Sequence, residues 1–192
     1  MASKTSICNQ AISRCGGNLI LTVDDGSDEA NLCKANFDAM REIVLEEHDW
    51  TFAIRRYKLS PSVVDAPANQ YANSFLVPAE VIHIIRAGAD PDDRKRNTTN
   101  WRKEEGYIIA DASILYVKAV VNVTDVATFS PMFRQAVALR LAAEIAVPLT
   151  ADKGLQRSLM SEYGIVLDGA ASRDGQIGTS EQIRASDYKE AR

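Results

Sequence analysis

One stretch of the chain, residues 27–53, predicts a corner between a helix and a β layer. It opens on Ser27 and two acids, which favours a helix start because the hydroxyl accepts a backbone N–H and acids suit the positive end of the helix dipole. The helix is predicted to end near residue 48, and Trp50 and Phe52 follow in an extended segment that clamps the junction. Within the predicted helix, apolar residues recur at steps of three and four and so share one helical face: Ala30, Cys33, Phe37, Met40 and Val44.

Three further helices are predicted from their end signals. The first begins at Ser3 or Thr5 and ends at Gly16 and Gly17, which accept a left-handed cap with little strain. The third begins at Ser130, a capping residue followed by proline, and is apolar on nearly all sides until Pro148 stops it. Thr150 is predicted to cap the fourth helix, which ends near residue 167.

The chain between residues 50 and 126 changes to short extended runs separated by turn-forming residues. Strands are predicted at residues 52–59, 71–77 and 81–87, then at residues 107–110 and 114–122. The last two runs predict an antiparallel hairpin, and the polar residues 88–103 predict a long exposed loop. The predicted fold class is α+β: mainly a helical bundle of four helices, with a β-rich insertion and an extended C-terminal tail.

The predicted organisation has three regions: a helical core of residues 1–49 and 127–168, a β-rich insertion of residues 50–126, and a C-terminal tail of residues 169–192. The tail holds little to bury beyond Ile177, Ile183 and Tyr188. Fixing each residue costs about 1 kcal/mol or more in backbone entropy, whereas these side chains return roughly 2–3 kcal/mol apiece. We therefore expect the tail to be held by a neighbouring copy or another protein, with these three residues as anchors and Arg184 at the rim.

No constellation of catalytic residues stands out in the sequence. Two carboxylate pairs, Glu46 with Glu47 and Glu104 with Glu105, are candidates for glycoside hydrolysis, which needs two acids flanking one bond. The first pair ends a charged helix face and the second continues a polar loop, so solvated surface is the favoured interpretation. A peptidoglycan-cleaving enzyme stays as the alternative. We predict that the protein is not an enzyme and has no catalytic residues, cofactor or metal site.

Composition bears on three further classes of protein. The 192-residue chain has a net charge of −4, whereas domains that grip nucleic-acid phosphates are usually basic. No apolar run approaches the roughly 20 residues that cross a bilayer, so a soluble protein made in the cytosol is expected. The cysteines are an odd set without a closely spaced pair, which predicts free, partly buried thiols: Cys8, Cys15 and Cys33.

A basic cluster lies in the predicted loop of residues 88–103. It consists of Arg94, Lys95 and Arg96, with Trp101 beyond it and three aspartates just before it. Because the acids cancel much of the positive field, we predict that this loop contacts a neighbouring copy or another protein. DNA binding is the less favoured alternative. A second basic group lies at residues 55–58, and DNA, a neighbouring copy and water are three alternatives for what its side chains face.

The segments around the corner resemble a family of viral proteins. They lie within roughly the first ninety residues, at positions 7–17, 24–27, 48–53 (His-Asp-Trp-Thr-Phe-Ala), 59 and 75–80 (Phe-Leu-Val-Pro-Ala-Glu). Together they resemble the tail tubular protein A family of tailed bacteriophages. Thr51 stands where the family typically has asparagine.

The resemblance implies a structural role in the virion. Members of that family are head-to-tail adaptors, rings of twelve copies beneath the portal that lead DNA into the tail. It thus implies a homo-oligomer whose partners are the portal protein and a distal tail or nozzle protein, with DNA passing through the lumen without specific binding. The expected location is the head–tail junction, after synthesis in the host bacterial cytoplasm. A capsid-completion factor in a long-tailed phage is a further reading of the same fold.

Overall fold

The computed structural model describes residues 3–62, 71–92 and 97–175. This part of the chain is mixed α+β, which confirms the predicted class. Its helices are α1 (Lys4–Cys15), α2 (Asp28–Glu46), α3 (Pro131–Thr150) and α4 (Lys153–Gly175). Its strands are β1 (Ile54–Leu59), β2 (Asn73–Leu76), β3 (Val81–Gly88), β4 (Trp101–Glu104), β5 (Tyr107–Ala110) and β6 (Leu115–Val121).

The predicted starts of α1, α2 and α3 are confirmed, and for α1 the cap is Ser3 rather than Thr5. Serine side chains cap α1, α2 and α3, each accepting a backbone N–H from the residue three positions on: Ser3, Ser27 and Ser130. Gly16 closes α1 at φ 73°, where its N–H bonds the carbonyls of Ile12 and Ser13. These caps satisfy backbone groups that a helix end leaves without partners, so local sequence suffices to place them.

Helix α3 contacts the other three helices and is buried along most of its length. The prediction that Pro148 ends this helix was wrong, because α3 continues to Thr150. Proline removes one backbone donor, but the next turn still closes: Ala151 N–H donates to Val147 O at 2.9 Å. Thr150 Oγ1 instead donates back to Ala146 O at 2.8 Å, and the side chain of Asp152 caps α4.

Ala151, between α3 and α4, has φ 54°, a left-handed conformation that costs a non-glycine residue about 1–2 kcal/mol. Ala151→Gly is expected to raise the free energy of unfolding by about 0.5–1 kcal/mol, because relief of this strain exceeds the added entropy of the unfolded glycine. Urea denaturation measures it. The matched control is Ala171→Gly inside α4, which is expected to lose about 1 kcal/mol. A loss of stability at position 151 would contradict the strain.

Helix α4 is longer than the sequence predicts. It continues to Gly175, so residues 169–175 are helical, and their assignment to an extended tail was wrong. The reason is burial: Ala170 and Asp174 continue the inward line begun by Leu159 and Tyr163. Two small or polar residues carry little hydrophobic signal, so their contribution to the helix is not visible in the sequence.

The strands form two three-stranded antiparallel sheets, in the orders β1-β6-β3 and β2-β5-β4. The predicted hairpin between residues 107–110 and 114–122 was therefore wrong. Strand β5 already has a partner on each side, and the short link after it passes to the other sheet, where β6 takes the central position. Strand β1 starts at Ile54, because residues 51–53 form a 3₁₀ turn instead of the predicted extended segment.

Strand β4 lies within the residues predicted to be a loop. Three of its four residues are exposed and charged, which is typical of an edge strand and gives no alternating pattern. A two-residue turn joins β4 to β5, with Glu105 at φ 45° and Gly106 at φ 82°. Two positive φ angles in sequence are the signature of the tight hairpin turn that matches strand twist.

The described residues form two apolar cores that meet along β6. One lies among the helices and includes Val120, and the other lies between the sheets and includes Val117 and Ala119. Strand β6 contributes to both because successive side chains of a strand point to opposite faces of the sheet: Leu115, Val117 and Ala119 belong to the second core, and Val120 belongs to the first. This arrangement holds the β layers against the helical layer at the corner after α2.

Candidate functional site

The predicted contact residues fall mostly outside the described part of the chain. This holds for Arg94, Lys95 and Arg96 of the basic cluster, and for Ile177, Ile183, Arg184 and Tyr188 of the tail. Trp101 is described. It is the first residue of β4, pairs with Ala110 and packs half-buried against the core between the sheets. Its indole therefore packs within the β layers.

The corner is built around Trp50. Its side chain is 0% exposed, and its indole Nε1 donates to Val44 O at 2.7 Å. The ring meets Phe133 of α3 edge to face, with centroids 5.0 Å apart, and Phe52 packs against the same phenylalanine. Aromatic pairs in this geometry stabilise beyond their buried area. The predicted clamp of Trp50 and Phe52 is therefore confirmed.

A buried carboxylate joins the end of α4 to the corner. Asp174 is 5% exposed and accepts hydrogen bonds from Thr51 N and Thr51 Oγ1, both at 2.8 Å. His48 Nε2 lies 3.7 Å from the same carboxylate. Buried carboxylates need such partners to offset the loss of water. The last turn of α4 is consequently tied to the start of the 3₁₀ turn that leads into β1.

A second carboxylate and histidine face each other on the other side of the corner. His83 Nε2 of β3 lies 2.6 Å from Asp49 Oδ1, within hydrogen-bonding distance. This contact links the turn after α2 to the edge strand of the first sheet. His48 and Asp49, adjacent in sequence, thus contact different partners, Asp174 and His83. Their role in the structure is to join elements.

The carboxylates weighed for hydrolysis lie in two separate places. Glu47 follows α2 and accepts a hydrogen bond from the hydroxyl of Tyr163 on α4. Burial, and then this carboxylate, raise the pKa of the Tyr163 phenol well above its usual range. Glu104 and Glu105 lie at the turn between β4 and β5. Nothing in this arrangement pairs the two sets across a common cleft.

The three cysteines are free and buried, with Cys8 and Cys15 on α1 and Cys33 on α2. Cys15 Sγ donates to Ala142 O at 3.4 Å, and burial raises the pKa of this thiol. A hydrogen bond with Cys33 lowers the pKa of Cys8, while Cys8 raises the pKa of Cys33.

Among the described residues, no group of three or more acids, histidines and cysteines is placed to hold a metal ion. No helix in that part of the chain is long and apolar enough to span a membrane.

One surface that the sequence did not single out is the connection between α1 and α2, called here the Leu21 loop (residues 18–27). Leu21 is 91% exposed and Leu19 is 66% exposed. The sequence shows this stretch only as a turn, because exposure of a leucine cannot be read from its neighbours. Aspartates follow the two leucines in the sequence at positions 24, 25 and 28, so this stretch combines apolar and acidic residues.

A second such surface lies on the first sheet. Arg56, Lys118 and Arg86 occupy one row across β1, β6 and β3, since Lys118 pairs with both arginines in register. They line a small cavity, called here the basic pocket, together with Tyr116, Asp90 and Pro91. Arg55, adjacent to Arg56, points elsewhere and pairs with Glu80 at 3.0 Å. The basic group predicted at residues 55–58 is thus divided between two faces of a strand.

No family model matches the chain, and no curated protein matches it.

Proposed function

We propose that this protein is a structural head-to-tail adaptor of a tailed bacteriophage, one subunit of a ring beneath the portal that joins it to the tail and lets DNA pass. The observation that supports this role best is the corner itself. Of the residues that carry the resemblance at positions 48–53, Trp50 and Phe52 pack the corner against α3. The resemblance therefore lies in residues with a defined structural task.

The proposal assigns a separate task to each region. The four helices act as one bundle that forms the body of the ring, and the β layers project from it. The last turn of α4 is anchored beside the corner, and residues 176–192 follow it in the sequence. They are proposed to reach the portal protein or the adjacent copy through Ile177, Ile183 and Tyr188, with Arg184 at the rim.

The loop before β4 completes the assembly in this proposal. Arg94, Lys95, Arg96 and Trp101 contact a neighbouring copy or the distal tail protein. DNA passes through the lumen without specific binding, which suits a chain of net charge −4 because a negative wall does not retain phosphates. Each copy offers two different surfaces to its neighbours, as a closed head-to-tail ring requires.

Binding to the portal protein of the encoding genome tests the proposal. We expect the wild type to form rings on the portal, visible by electron microscopy, and Ile183→Asp to weaken binding by about 10- to 100-fold, since the loss of a buried isoleucine corresponds to that range. The matched control is Ser186→Asp, which adds the same charge in the same segment without removing an apolar anchor. It is expected to bind within a few fold of the wild type.

Two results would contradict the adaptor role. One is a wild-type protein that neither binds the portal nor forms rings. The other is turnover of peptidoglycan by the wild type that disappears in Glu104→Gln or Glu105→Gln, which would favour the hydrolase alternative. Steep salt-dependent binding to duplex DNA would favour the nucleic-acid-binding alternative instead.

A further inference from the structure

Helices α1 and α2 lie against each other in antiparallel directions. At the start of α1, Lys4 Nζ pairs with Asp38 Oδ2 at 3.0 Å and lies 4.7 Å from the centre of the Phe37 ring, near the middle of α2. Just after the end of α1, Asn18 N–H donates to Glu29 Oε1 at 3.1 Å, near the start of α2. These two contacts fix which residues of the helices face each other between them.

The contacts bring Cys8 opposite Cys33. Cys8 lies one turn after Lys4, and Cys33 lies one turn before Phe37, so both cysteines are on the facing sides of their helices. Both side chains are 0% exposed and belong to the same apolar core. A hydrogen bond joins the two thiols. The structure thus holds two reduced cysteines in contact across two helices.

The two thiols differ in acidity. The hydrogen bond with Cys33 lowers the pKa of Cys8 against the effect of burial, and the ammonium of Lys4 lowers it further. The same hydrogen bond, and then burial, raise the pKa of Cys33. The thiolate is the nucleophilic form of cysteine, so Cys8 is suited to attack first and Cys33 to act second.

The third cysteine has a different partner. Cys15 lies two turns after Cys8 on α1, and its Sγ donates to the carbonyl of Ala142 on α3 at 3.4 Å. Burial raises the pKa of this thiol. Cys15 is therefore the internal control for any property that belongs to the pair of Cys8 and Cys33.

We propose that Cys8 and Cys33 are a redox modification site, at which a small-molecule disulfide such as oxidised glutathione converts the two thiols into a disulfide between α1 and α2. The Cys8 thiolate attacks one sulfur of the oxidant, which forms a mixed disulfide and releases one glutathione thiolate. The Cys33 thiol then gives up its proton and attacks the Cys8 sulfur, which completes the bond and releases the second glutathione. The protein loses two electrons and two protons, and the oxidant is reduced to two thiols.

The burial of both sulfurs sets the conditions for this reaction. Because both side chains are 0% exposed, the oxidant reaches them only when α1 opens transiently, so oxidation is slow. When the helices close, a short movement of the sulfurs gives the separation of about 2 Å that a disulfide needs. In a reducing cytosol the pair stays as thiols, and in oxidising surroundings the bond forms.

The bond is expected to stabilise the fold. It closes a loop from residue 8 to residue 33 that includes the Leu21 loop, and a closed loop of this length restricts the unfolded chain. We expect the melting temperature of the oxidised protein to lie about 5–10 °C above that of the reduced protein. This inference does not depend on the adaptor role.

Mass spectrometry of the purified wild type tests the site. After incubation with oxidised glutathione, the protein is expected to be lighter by two hydrogen atoms and to keep one of its three free thiols. Digestion with trypsin and a protease that cleaves before aspartate places each cysteine in its own peptide, residues 5–14, 15–23 and 28–34. The first and third peptides are expected to be joined, and the second to carry the free thiol.

The cysteine variants test the effect on stability. Cys8→Ala and Cys33→Ala are each expected to lose the rise in melting temperature on oxidation, whereas Cys15→Ala is expected to keep it. A wild type that still has three free thiols after prolonged oxidation overturns the proposal, as does a bond that contains Cys15. The peptide map needs only the wild type, so it decides the matter even where a variant fails to fold.

Discussion

Trp50→Ala is expected to lower the free energy of unfolding by about 3–5 kcal/mol, the range for removal of a buried large aromatic residue. The side chain is 0% exposed and contacts both Phe52 and Phe133. Its loss would leave a cavity where α2, α3 and the 3₁₀ turn of residues 51–53 meet, and would remove the indole donor to Val44 O. An effect of this size approaches the whole stability of an ordinary domain, about 5–15 kcal/mol.

Urea denaturation followed by far-ultraviolet circular dichroism measures this loss. Trp50→Phe is the matched control, because it keeps an aromatic ring in the cavity and removes only the second ring and its N–H. We expect it to lose about half as much. If alanine at position 50 cost less than about 1 kcal/mol, the corner would not be the packing centre inferred here.

Asp174→Ala is expected to cost about 2–3 kcal/mol, because it removes the buried carboxylate that accepts two hydrogen bonds from Thr51. The same change releases the last turn of α4 from the corner. Amide hydrogen exchange in residues 168–175 is therefore expected to become faster, while exchange in α3 stays slow.

The matched control for this change is Asp168→Ala, which removes an exposed acid from the same helix. It is expected to change the free energy of unfolding by less than about 0.5 kcal/mol. Equal losses from the two variants, or unchanged exchange at the end of α4 in Asp174→Ala, would show that this carboxylate does not anchor the helix.

The helix starts, and the placement of Trp50 and Phe52 directly after α2, were predictable because their causes are local. Ser27 bonds an N–H three residues away, and Trp50 follows the end of α2 by a few positions. Caps and helical periodicity depend on neighbours in the chain, whereas Phe133, the partner of both aromatics on α3, lies 83 positions from Trp50. The α+β class follows from the same kind of signal, since helical and extended runs differ in their apolar period.

The strand partners were not predictable in this way. Strands β5 and β6 are consecutive and separated by a short link, which is the usual signal for a hairpin. They lie in different sheets because β5 and β6 each already have two partners. Which strand supplies a hydrogen-bonding partner depends on residues far away in the chain, and no local pattern carries that information.

The candidate surfaces show the same division. Residues 56, 86 and 118 lie about thirty positions apart, and only sheet registry brings their charges into one row. Asp174 lies 123 positions from Thr51, its hydrogen-bond partner. Its burial could not be recognised, because an aspartate near the end of a helix ordinarily faces water.

By itself, the amino-acid sequence determined where helices begin, which residues clamp the corner, and that helical and β layers occur in one chain. Capping and periodicity act over a few residues, so the helix starts and the order of helical and extended runs do not depend on the rest of the fold. Only the tertiary structure decided which strands pair, how far α4 extends, and where apolar and charged side chains reach the surface. Those outcomes depend on burial and hydrogen bonding between distant segments, whose free energies exist only once the chain has folded.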